Sequence, residues 1–370
     1  MNRLTLLVVS LVFLLSSCEQ NGVSPTPVDI STKVTFDIPN CRKFVQRNNT
    51  NEGEVFITGS TNNPFTSAKI KFKNYLGGQE TGWLQLSNDG GNKFSGSFTL
   101  KGGGYYPQVI IENNNQVTED TLMLWNFKVG EVFAVVGHSL AEGQDPYNLE
   151  DFDKQWCEVI KWDDGSKVAF WGRMAELLKK RLNVPIMMYN TGIGGTTSLH
   201  WGNSAWGLPF ESPIFDWKQR YPYKFFENRI LNDFPKTGIR GVFIMHGEND
   251  IDLSENDIVE GTKLYIQKTR DLLNKPDLVF WMAKCNRGTN DPKEIKVRAA
   301  QKRILEEIPN VLTGADLQSL TAPTYRHDGT HFNFAGVENA AIKWNEGDCS
   351  RRSSRPNCGS HGLVSSRING

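Results

Sequence analysis

The sequence predicts an α/β protein in which a parallel sheet carries helices on both faces and is preceded by an all-β sandwich domain. Three observations lead to this prediction. The chain has 370 residues, which is enough for two domains of ordinary size. Short alternating segments separated by Gly/Asn turns fill residues 34–127. After Val129 the pattern changes to apolar strands that alternate with amphipathic helices.

The first region, residues 33–128, is predicted to be an accessory β-sandwich domain. Its candidate strands lie at spacings typical of antiparallel sheets, and the stretch Asn88-Asp89-Gly90-Gly91 is a strong turn signal. No catalytic group of residues occurs there, so a spacer or an accessory binding module is expected. The clearest strand segments are Glu54–Thr58, Lys69–Phe72, Gly82–Leu86 and Gln108–Glu112.

The second region, residues 129–346, is predicted to contain the parallel sheet. Apolar residues at helical spacing indicate one helix from Val168 to Leu182 and another from about Glu255 to Leu273, and a third helix is capped by Asp291 with Pro292 at its first position. In such sheets, sites lie beyond the carboxyl ends of the strands. The predicted strands are Val132–Val136, Val184–Tyr189, Gly241–Met245 and Leu278–Ala283.

The N-terminus has the pattern of an export signal. Arg3 precedes an apolar run, Leu4–Leu15, that is too short to span a bilayer. The run ends in Leu15-Ser16-Ser17-Cys18, which resembles the bacterial lipoprotein box, in which the Cys becomes the lipidated first residue. Residues 1–18 are therefore predicted to be a lipoprotein signal peptide and residues 19–32 a linker. The expected location is the cell envelope, anchored to a membrane on its periplasmic face or at the cell surface.

The remaining cysteines and the charge balance restrict the chain further. Cys349 and Cys358, in a Ser/Arg/Gly-rich tail over residues 347–370, are candidates for a disulfide, whereas Cys41, Cys157 and Cys285 have no ligand spacing and are interpreted as buried apolar residues. Basic and acidic residues both number 41, so the net charge is zero. This balance argues against nucleic acid as a partner.

Polar clusters follow several predicted strands. Ser139 can attack a carbonyl if His331 removes its proton, and Asp328, three residues earlier, can orient the imidazole. The backbone N–H groups of Ser139 and Gly195 and the side-chain amide of Asn249 are candidate donors to the resulting oxyanion. The clusters are Gly137-His138-Ser139, Asn190 to Thr197, His246 to Asp250 and His327 to Asn333.

These clusters, in this order, resemble the conserved blocks of the SGNH (GDSL-like) hydrolases, and in particular the sialate O-acetylesterase-like carbohydrate esterases. The blocks are G-x-S-x-A-x-G-Q, N-x-G-I-G-G-T-T, H-G-E-N-D and D-G-T-H-F-N, and the resemblance covers about Val129 to Asn345. It implies a three-layer α/β/α sandwich and a Ser139–His331–Asp328 triad. It also implies an oxyanion hole of Ser139, Gly195 and Asn249, with no metal or organic cofactor.

Some residues of these blocks concern the substrate. His138 and His246 depart from residues common in the family, and Leu140 stands where this subgroup often has Asn. Gly194 competes with Gly195 as the oxyanion donor. Gly194, His138, His246 and Trp201 are predicted to line the substrate site. For His138 and His246 the favoured interpretation is a neighbour that hydrogen-bonds in the wall of the site and takes no part in a chemical step, and for Trp201 packing of a long loop is an equal alternative.

The expected function is an exported serine esterase that removes acetyl or other small acyl groups from carbohydrate. A non-catalytic glycan-binding lipoprotein on the same scaffold is the alternative, and a lipid or thioester substrate is a third possibility. A metal site built from His246, Glu248, Asp250 and His331 would leave Ser139 and the glycines without a role, so none is predicted.

Overall fold

The computed structural model describes residues 34–37, 41, 43–122, 126–143, 149, 151–161, 168–285 and 287–347. The predicted signal peptide with Cys18, the linker over residues 19–32, and Cys349 and Cys358 of the tail lie outside these ranges. Within the ranges, no helix combines the length and the apolar character needed to cross a membrane.

The described chain is a mixed α/β protein. Its strands are β1 Val34–Phe36, β2 Phe44–Gln46, β3 Glu52–Thr61, β4 Ser67–Leu76, β5 Leu84–Gly90, β6 Lys93–Lys101, β7 Gly103–Asn113, β8 Gln116–Leu122, β9 Phe127–Gly137, β10 Cys157–Lys161, β11 Ile186–Asn190, β12 Gly241–Met245, β13 Val279–Lys284 and β14 Val311–Asp316. Its helices are α1 Ser139–Glu142, α2 Trp171–Leu182, α3 Ser198–Trp206, α4 Tyr223–Asn232, α5 Phe234–Thr237, α6 Glu255–Leu273, α7 Pro292–Glu307 and α8 Phe334–Glu346.

Six of the strands form a parallel sheet in the order β10-β11-β9-β12-β13-β14. Successive side chains of a strand point to opposite faces, and β9 shows this alternation. Ala134 packs into a core shared with α4, α6 and α7, whereas Phe133 and Val135 pack into a core shared with α2 and α8. Helices therefore cover both faces, as the alternation of strands and helices predicts.

The predicted elements of this region match the structure closely. The helix predicted over Glu255–Leu273 has those bounds, and Asp291 caps the next helix by accepting a hydrogen bond from the Lys293 N–H (2.8 Å). The outer strands β10 and β14 were not predicted from the sequence. Both lie at edges of the sheet and carry polar or glycine residues, so neither forms a continuous apolar run.

The described strands between residues 34 and 122 pair antiparallel with one another, except β2, which pairs in parallel with β9. They surround a separate hydrophobic core that also includes the start of β9. The tight turn between β5 and β6 falls at Gly91 and Asn92, both with positive φ. The turn predicted at Asn88-Asp89-Gly90-Gly91 was therefore placed too early, because β5 continues through Gly90 with a bulge.

Strand β9 connects the two regions. Its first residues pair with β7 and β2, and its remainder is a central strand of the parallel sheet. The strand thus crosses the predicted domain boundary between residues 128 and 129, and a separate accessory domain stays a prediction.

A buried carboxylate reinforces this connection. Glu131 of β9 accepts hydrogen bonds from Arg47 Nε (2.7 Å), Arg240 Nε (2.7 Å) and Gln46 Nε2 (2.6 Å). Arg47 and Gln46 belong to the antiparallel region, and Arg240 precedes β12 of the parallel sheet. Two guanidinium groups share this one buried carboxylate. Their hydrogen bonds hold the antiparallel region against the amino end of the parallel sheet, where β9 enters the sheet and β12 begins.

Candidate active site

Ser139 lies just beyond the carboxyl end of β9, at the start of the short helix α1. The chain turns sharply at Gly137, whose φ is 153°, and a Cβ there would lie 2.2 Å from the carbonyl oxygen of Met245. Glycine is therefore required where the strand ends. The turn leaves Ser139 mostly buried at the carboxyl ends of the parallel strands.

The structure brings Ser139, His331 and Asp328 together in one hydrogen-bonded chain. His331 Nε2 is 2.9 Å from Ser139 Oγ, and His331 Nδ1 is 2.7 Å from Asp328 Oδ2. With Nδ1–H donating to the carboxylate, Nε2 is left to accept the proton of the serine hydroxyl.

The carboxylate of Asp328 is itself held by the backbone. Its Oδ1 accepts hydrogen bonds from the N–H groups of Thr330 (2.8 Å) and His331 (2.6 Å). Partial burial opposes ionisation, but the hydrogen bonds from His331 and from the backbone lower the pKa of this carboxyl below its usual range. Asp328 is therefore ionised at neutral pH and can stabilise a positively charged imidazole.

Hydrogen bonds tie the loop after β11 to the turn that carries Ser139. The Ile193 N–H donates to the carbonyl of Gly137 (2.9 Å), and the Gly194 N–H donates to the carboxylate of Glu142 (2.5 Å). The amide Nδ2 of Asn249 donates to the carbonyl of Thr196 (3.1 Å), which joins the loop after β12 to the same assembly. Three loops at the strand ends therefore meet around Ser139.

The hydrogen bonds of this loop distinguish Gly194 from Gly195 as a candidate donor to the oxyanion. Gly194 gives its N–H to Glu142, so it is not available to an oxyanion. Among the described residues, the N–H groups of Ser139 and Gly195 have no acceptor, and Asn249 retains a second amide hydrogen. The prediction of Gly194 as an alternative donor is thus not supported, and Ser139, Gly195 and Asn249 remain the candidate set.

A buried carboxylate lies behind these residues. Glu248 Oε1 accepts a hydrogen bond from Arg326 Nη2 (2.9 Å), and Oε2 lies 3.0 Å from His138 Nε2 and 2.7 Å from Cys285 Sγ. Burial opposes the charge, but the Arg326 guanidinium and the His138 hydrogen bond hold the pKa of Glu248 well below its usual range.

The partners of Glu248 reach both parts of the Ser139–His331 pair. His138 precedes Ser139 and accepts a hydrogen bond at Nδ1 from the Leu140 N–H (3.3 Å). Arg326 donates to the backbone carbonyl of Thr330, the residue before His331. The carboxylate therefore positions the turn of Ser139 and the loop of His331 relative to each other.

Three residues predicted to line the substrate site do not reach it. His138, His246 and Trp201 are fully buried, so their predicted contact with substrate is wrong for this structure. His138 is held by Glu248, and Trp201 Nε1 donates to Thr196 Oγ1 (3.0 Å) behind the loop after β11. Burial and the nearby His138 lower the pKa of His246 well below its usual range, so its ring is a neutral packing group.

The chain brings potential metal ligands together at His138, Glu248 and Cys285. These residues fit a hydrogen-bonded network better than a metal site. Arg326 already supplies a positive charge to Glu248, and burial raises the pKa of the Cys285 thiol well above its usual range. The other combination considered from the sequence is not assembled, because His331 turns toward Ser139 rather than His246.

Several residues of the site escaped the sequence analysis. Arg326 and Glu142 are charged residues inside motif-bearing segments, and no local pattern distinguishes them from surface residues. Cys285 was interpreted as a small apolar residue. It is buried with a free thiol, as expected, but it also donates to Glu248.

No protein-family model matches this chain, and no curated protein matches it. Among solved structures it is similar to a carbohydrate acetylesterase from Xanthomonas citri, at 14% identity and a TM-score of 0.49, over 82% of this chain and 71% of that one. It is also similar to a family two carbohydrate esterase from Clostridium thermocellum in complex with cellohexaose, at 15% identity and a TM-score of 0.39, over 80% and 91% of the two chains. A third is a carbohydrate esterase family 2 enzyme with a carbohydrate binding domain from Corynascus thermopiles, at 14% identity and a TM-score of 0.36, over 85% and 97%. These values are too low to assign the chain to a family.

Proposed function

We propose that this protein is a serine esterase that removes acetyl or similarly small acyl groups from carbohydrate. The observation that carries the proposal is the hydrogen-bonded chain from Ser139 Oγ through His331 (2.9 Å) to Asp328 (2.7 Å). A serine hydroxyl is a weak nucleophile unless a neighbouring base takes its proton, and this arrangement supplies that base already oriented.

In the first half of the reaction, Ser139 Oγ attacks the carbonyl carbon of the ester while its proton moves to His331 Nε2. Negative charge develops on the carbonyl oxygen, where the N–H groups of Ser139 and Gly195 and the amide of Asn249 donate hydrogen bonds. Asp328 stabilises the imidazolium formed on His331. The bond to the sugar oxygen then breaks, His331 returns the proton to that oxygen, and an acyl-Ser139 ester remains.

In the second half, His331 Nε2 takes a proton from water as the water oxygen attacks the acyl carbon. The same donors hold the second tetrahedral intermediate. The bond from the acyl carbon to Ser139 Oγ breaks, and His331 returns its proton to the serine oxygen. Acetic acid leaves and gives its proton to solvent, which makes acetate, and the site regains its initial state without a cofactor.

The choice of carbohydrate rests on the resemblance of the four sequence blocks, and attachment to the cell envelope rests on the sequence around Cys18. The alternative is a glycan-binding lipoprotein that has the same scaffold and no turnover. The two differ in one observable property, because only the esterase forms an acyl-Ser139 intermediate.

The test is hydrolysis of p-nitrophenyl acetate and of acetylated sugars by the purified protein and its Ser139→Ala variant. Activity present in the first and lost in the second supports the proposal. Ser87→Ala, an exposed serine of β5, is the matched control and is expected to keep full activity. A folded wild-type protein that hydrolyses none of these esters, or an active Ser139→Ala variant, would overturn the proposal. Saturable glycan binding without hydrolysis would favour the alternative.

A further inference from the structure

An exposed isoleucine lies directly against the glycine whose N–H is a candidate oxyanion donor. A Cβ added at Gly195 would lie 2.4 Å from Ile214 Cδ1, so the side chain of Ile214 occupies the space that any larger residue at Gly195 would need. Ile214 is nevertheless 49% exposed, which means that part of this apolar side chain faces solvent beside the site. Ile214 therefore contacts the loop after β11 that carries Gly195, and it is also exposed to solvent.

Ile214 belongs to a segment, residues 208–216, that follows α3 and folds back along it. Gly207 ends α3 in a left-handed conformation, and the chain then returns toward the beginning of that helix. His200, in the first turn of α3, holds this segment, because its Nε2 donates to the carbonyl of Glu211 (3.0 Å) and its ring lies 5.2 Å from the ring of Phe210.

The tip of the segment is also held at the isoleucine itself. Ser212 Oγ accepts hydrogen bonds from the N–H groups of Ile214 (3.2 Å) and Phe215 (3.4 Å), which forms a local turn. Phe215 packs against the hydrophobic core on that face of the sheet. The backbone of Ile214 is thus anchored on both sides, and its side chain is a defined wall.

This wall has a consequence for the acyl group. The carbonyl oxygen of a reacting ester lies about 3 Å from the oxyanion donors, and the acyl chain begins one bond away from that carbonyl. Any acyl chain bound at Ser139 therefore starts within a few ångströms of Gly195, where Ile214 takes up volume.

We propose that Ile214 is a specificity-determining residue that restricts this site to short acyl groups such as acetyl. The inference rests on the proposed esterase function and deepens it. In this proposal the methyl group of an acetyl ester stops short of Ile214, whereas a longer chain extends into the volume that the isoleucine side chain occupies beside Gly195. Specificity of this kind depends on volume, since one methylene in an apolar pocket changes selectivity by roughly 10–200-fold.

The experiment compares kcat/KM for p-nitrophenyl acetate, butyrate and hexanoate in the wild type, Ile214→Val and Ile214→Ala. We expect the ratio of butyrate to acetate to rise about tenfold or more in Ile214→Ala, with a smaller rise in Ile214→Val. Leu208→Ala is the matched control. Leu208 is an exposed apolar residue of the same segment, and its N–H donates to the carbonyl of Asn203 at the far end of α3. The ratio of butyrate to acetate hydrolysis in Leu208→Ala is therefore expected to stay at the wild-type value.

The outcomes separate this inference from the proposed function. If hydrolysis depends on Ser139 but the chain-length ratio of Ile214→Ala equals that of the wild type, the inference is overturned and the esterase function stands. An equal rise for all three esters, or the same rise in Leu208→Ala, also overturns it. If no ester is hydrolysed in a Ser139-dependent manner, the proposed function fails and the role of Ile214 fails with it.

Discussion

Arg326 and Glu248 form a salt bridge of 2.9 Å in which neither side chain is exposed to solvent. The two residues come from different loops, one before His331 and the other after β12. Since Glu248 also binds His138, which precedes Ser139, one carboxylate supports both the turn of Ser139 and the loop of His331. The relative position of Ser139 and His331 therefore depends on a charge pair that takes no part in the proposed chemistry.

Replacing Glu248 by glutamine tests how much the salt bridge with Arg326 contributes to the stability of the folded protein. In Glu248→Gln the charge of Arg326 remains buried without its counter-charge, and breaking a buried pair in this way costs about 3–5 kcal/mol. We expect the free energy of unfolding, measured in urea, to fall by that amount. The control is Glu260→Gln on the exposed face of α6, where the change is expected to stay within about 0.5 kcal/mol. A Glu248→Gln variant as stable as the wild type would contradict the role assigned to the salt bridge.

The parts of the fold that the sequence predicts are those with a strong local pattern. The strand Gly241–Met245 and the helix Glu255–Leu273 have the predicted bounds, because an apolar run and a 3.6-residue period are visible in a short window. The cluster carrying Ser139 follows from the same logic, since polar residues directly after a buried strand are conspicuous. The cluster carrying Asp328 and His331 lies far beyond the last predicted strand, and its role came from the resemblance of the four sequence blocks.

The parts that escaped prediction depend on contacts between distant segments. Arg326 and Glu248 are 78 residues apart, and only the folded sheet brings them together. Trp201 was considered for both packing and sugar binding, because aromatic residues serve both purposes, and the structure buries it. Ile214 carries no sequence signal at all. Its importance comes from its position against Gly195.

Replacing Asp328 by asparagine is expected to lower kcat for p-nitrophenyl acetate by about 10⁴-fold with little change in KM. The amide cannot stabilise the imidazolium, and it can favour the tautomer of His331 that presents N–H rather than a lone pair to Ser139. Asp252→Asn, an exposed carboxylate paired with Lys293, is the control and is expected to keep the wild-type kcat. Equal rates in Asp328→Asn and the wild type would exclude the role given to this residue.

Asn249 is expected to contribute to the transition state more than to substrate binding. Loss of one oxyanion donor lowers kcat by about 10²–10³-fold. Asn249→Asp is a second variant that keeps the size of the side chain and cannot donate when ionised. Both variants also lose the hydrogen bond from Asn249 to the Thr196 carbonyl, so their unfolding in urea is measured beside kcat to show that the loop after β12 stays folded. Both variants should lose kcat while KM changes little. If Asn249→Asp retains kcat, the oxyanion is held by the two backbone N–H groups alone.

Asp250 makes stability depend on pH. Its buried carboxyl accepts a hydrogen bond from the Ser198 N–H (2.9 Å) at the start of α3, yet burial raises the pKa of Asp250 to about 6. An ordinary Asp in the unfolded chain has a pKa of about 3.9. The folded state therefore binds the proton more tightly, and this group's contribution to stability is present below pH 4 and is lost as the pH rises through about 6.

Replacing Asp250 by asparagine removes this loss while the side chain can still accept from Ser198. The difference between the two pKa values corresponds to about 3 kcal/mol. We expect the free energy of unfolding of Asp250→Asn, measured in urea, to increase relative to that of the wild type by up to that amount between pH 4 and pH 7.5, so that the variant becomes the more stable of the two. His246 has an opposite dependence, because its lowered pKa favours folding as the pH rises, but it is present in both proteins and cancels in the comparison. A difference between wild type and variant that stays constant across this pH range would show that Asp250 is ionised throughout it in the folded protein.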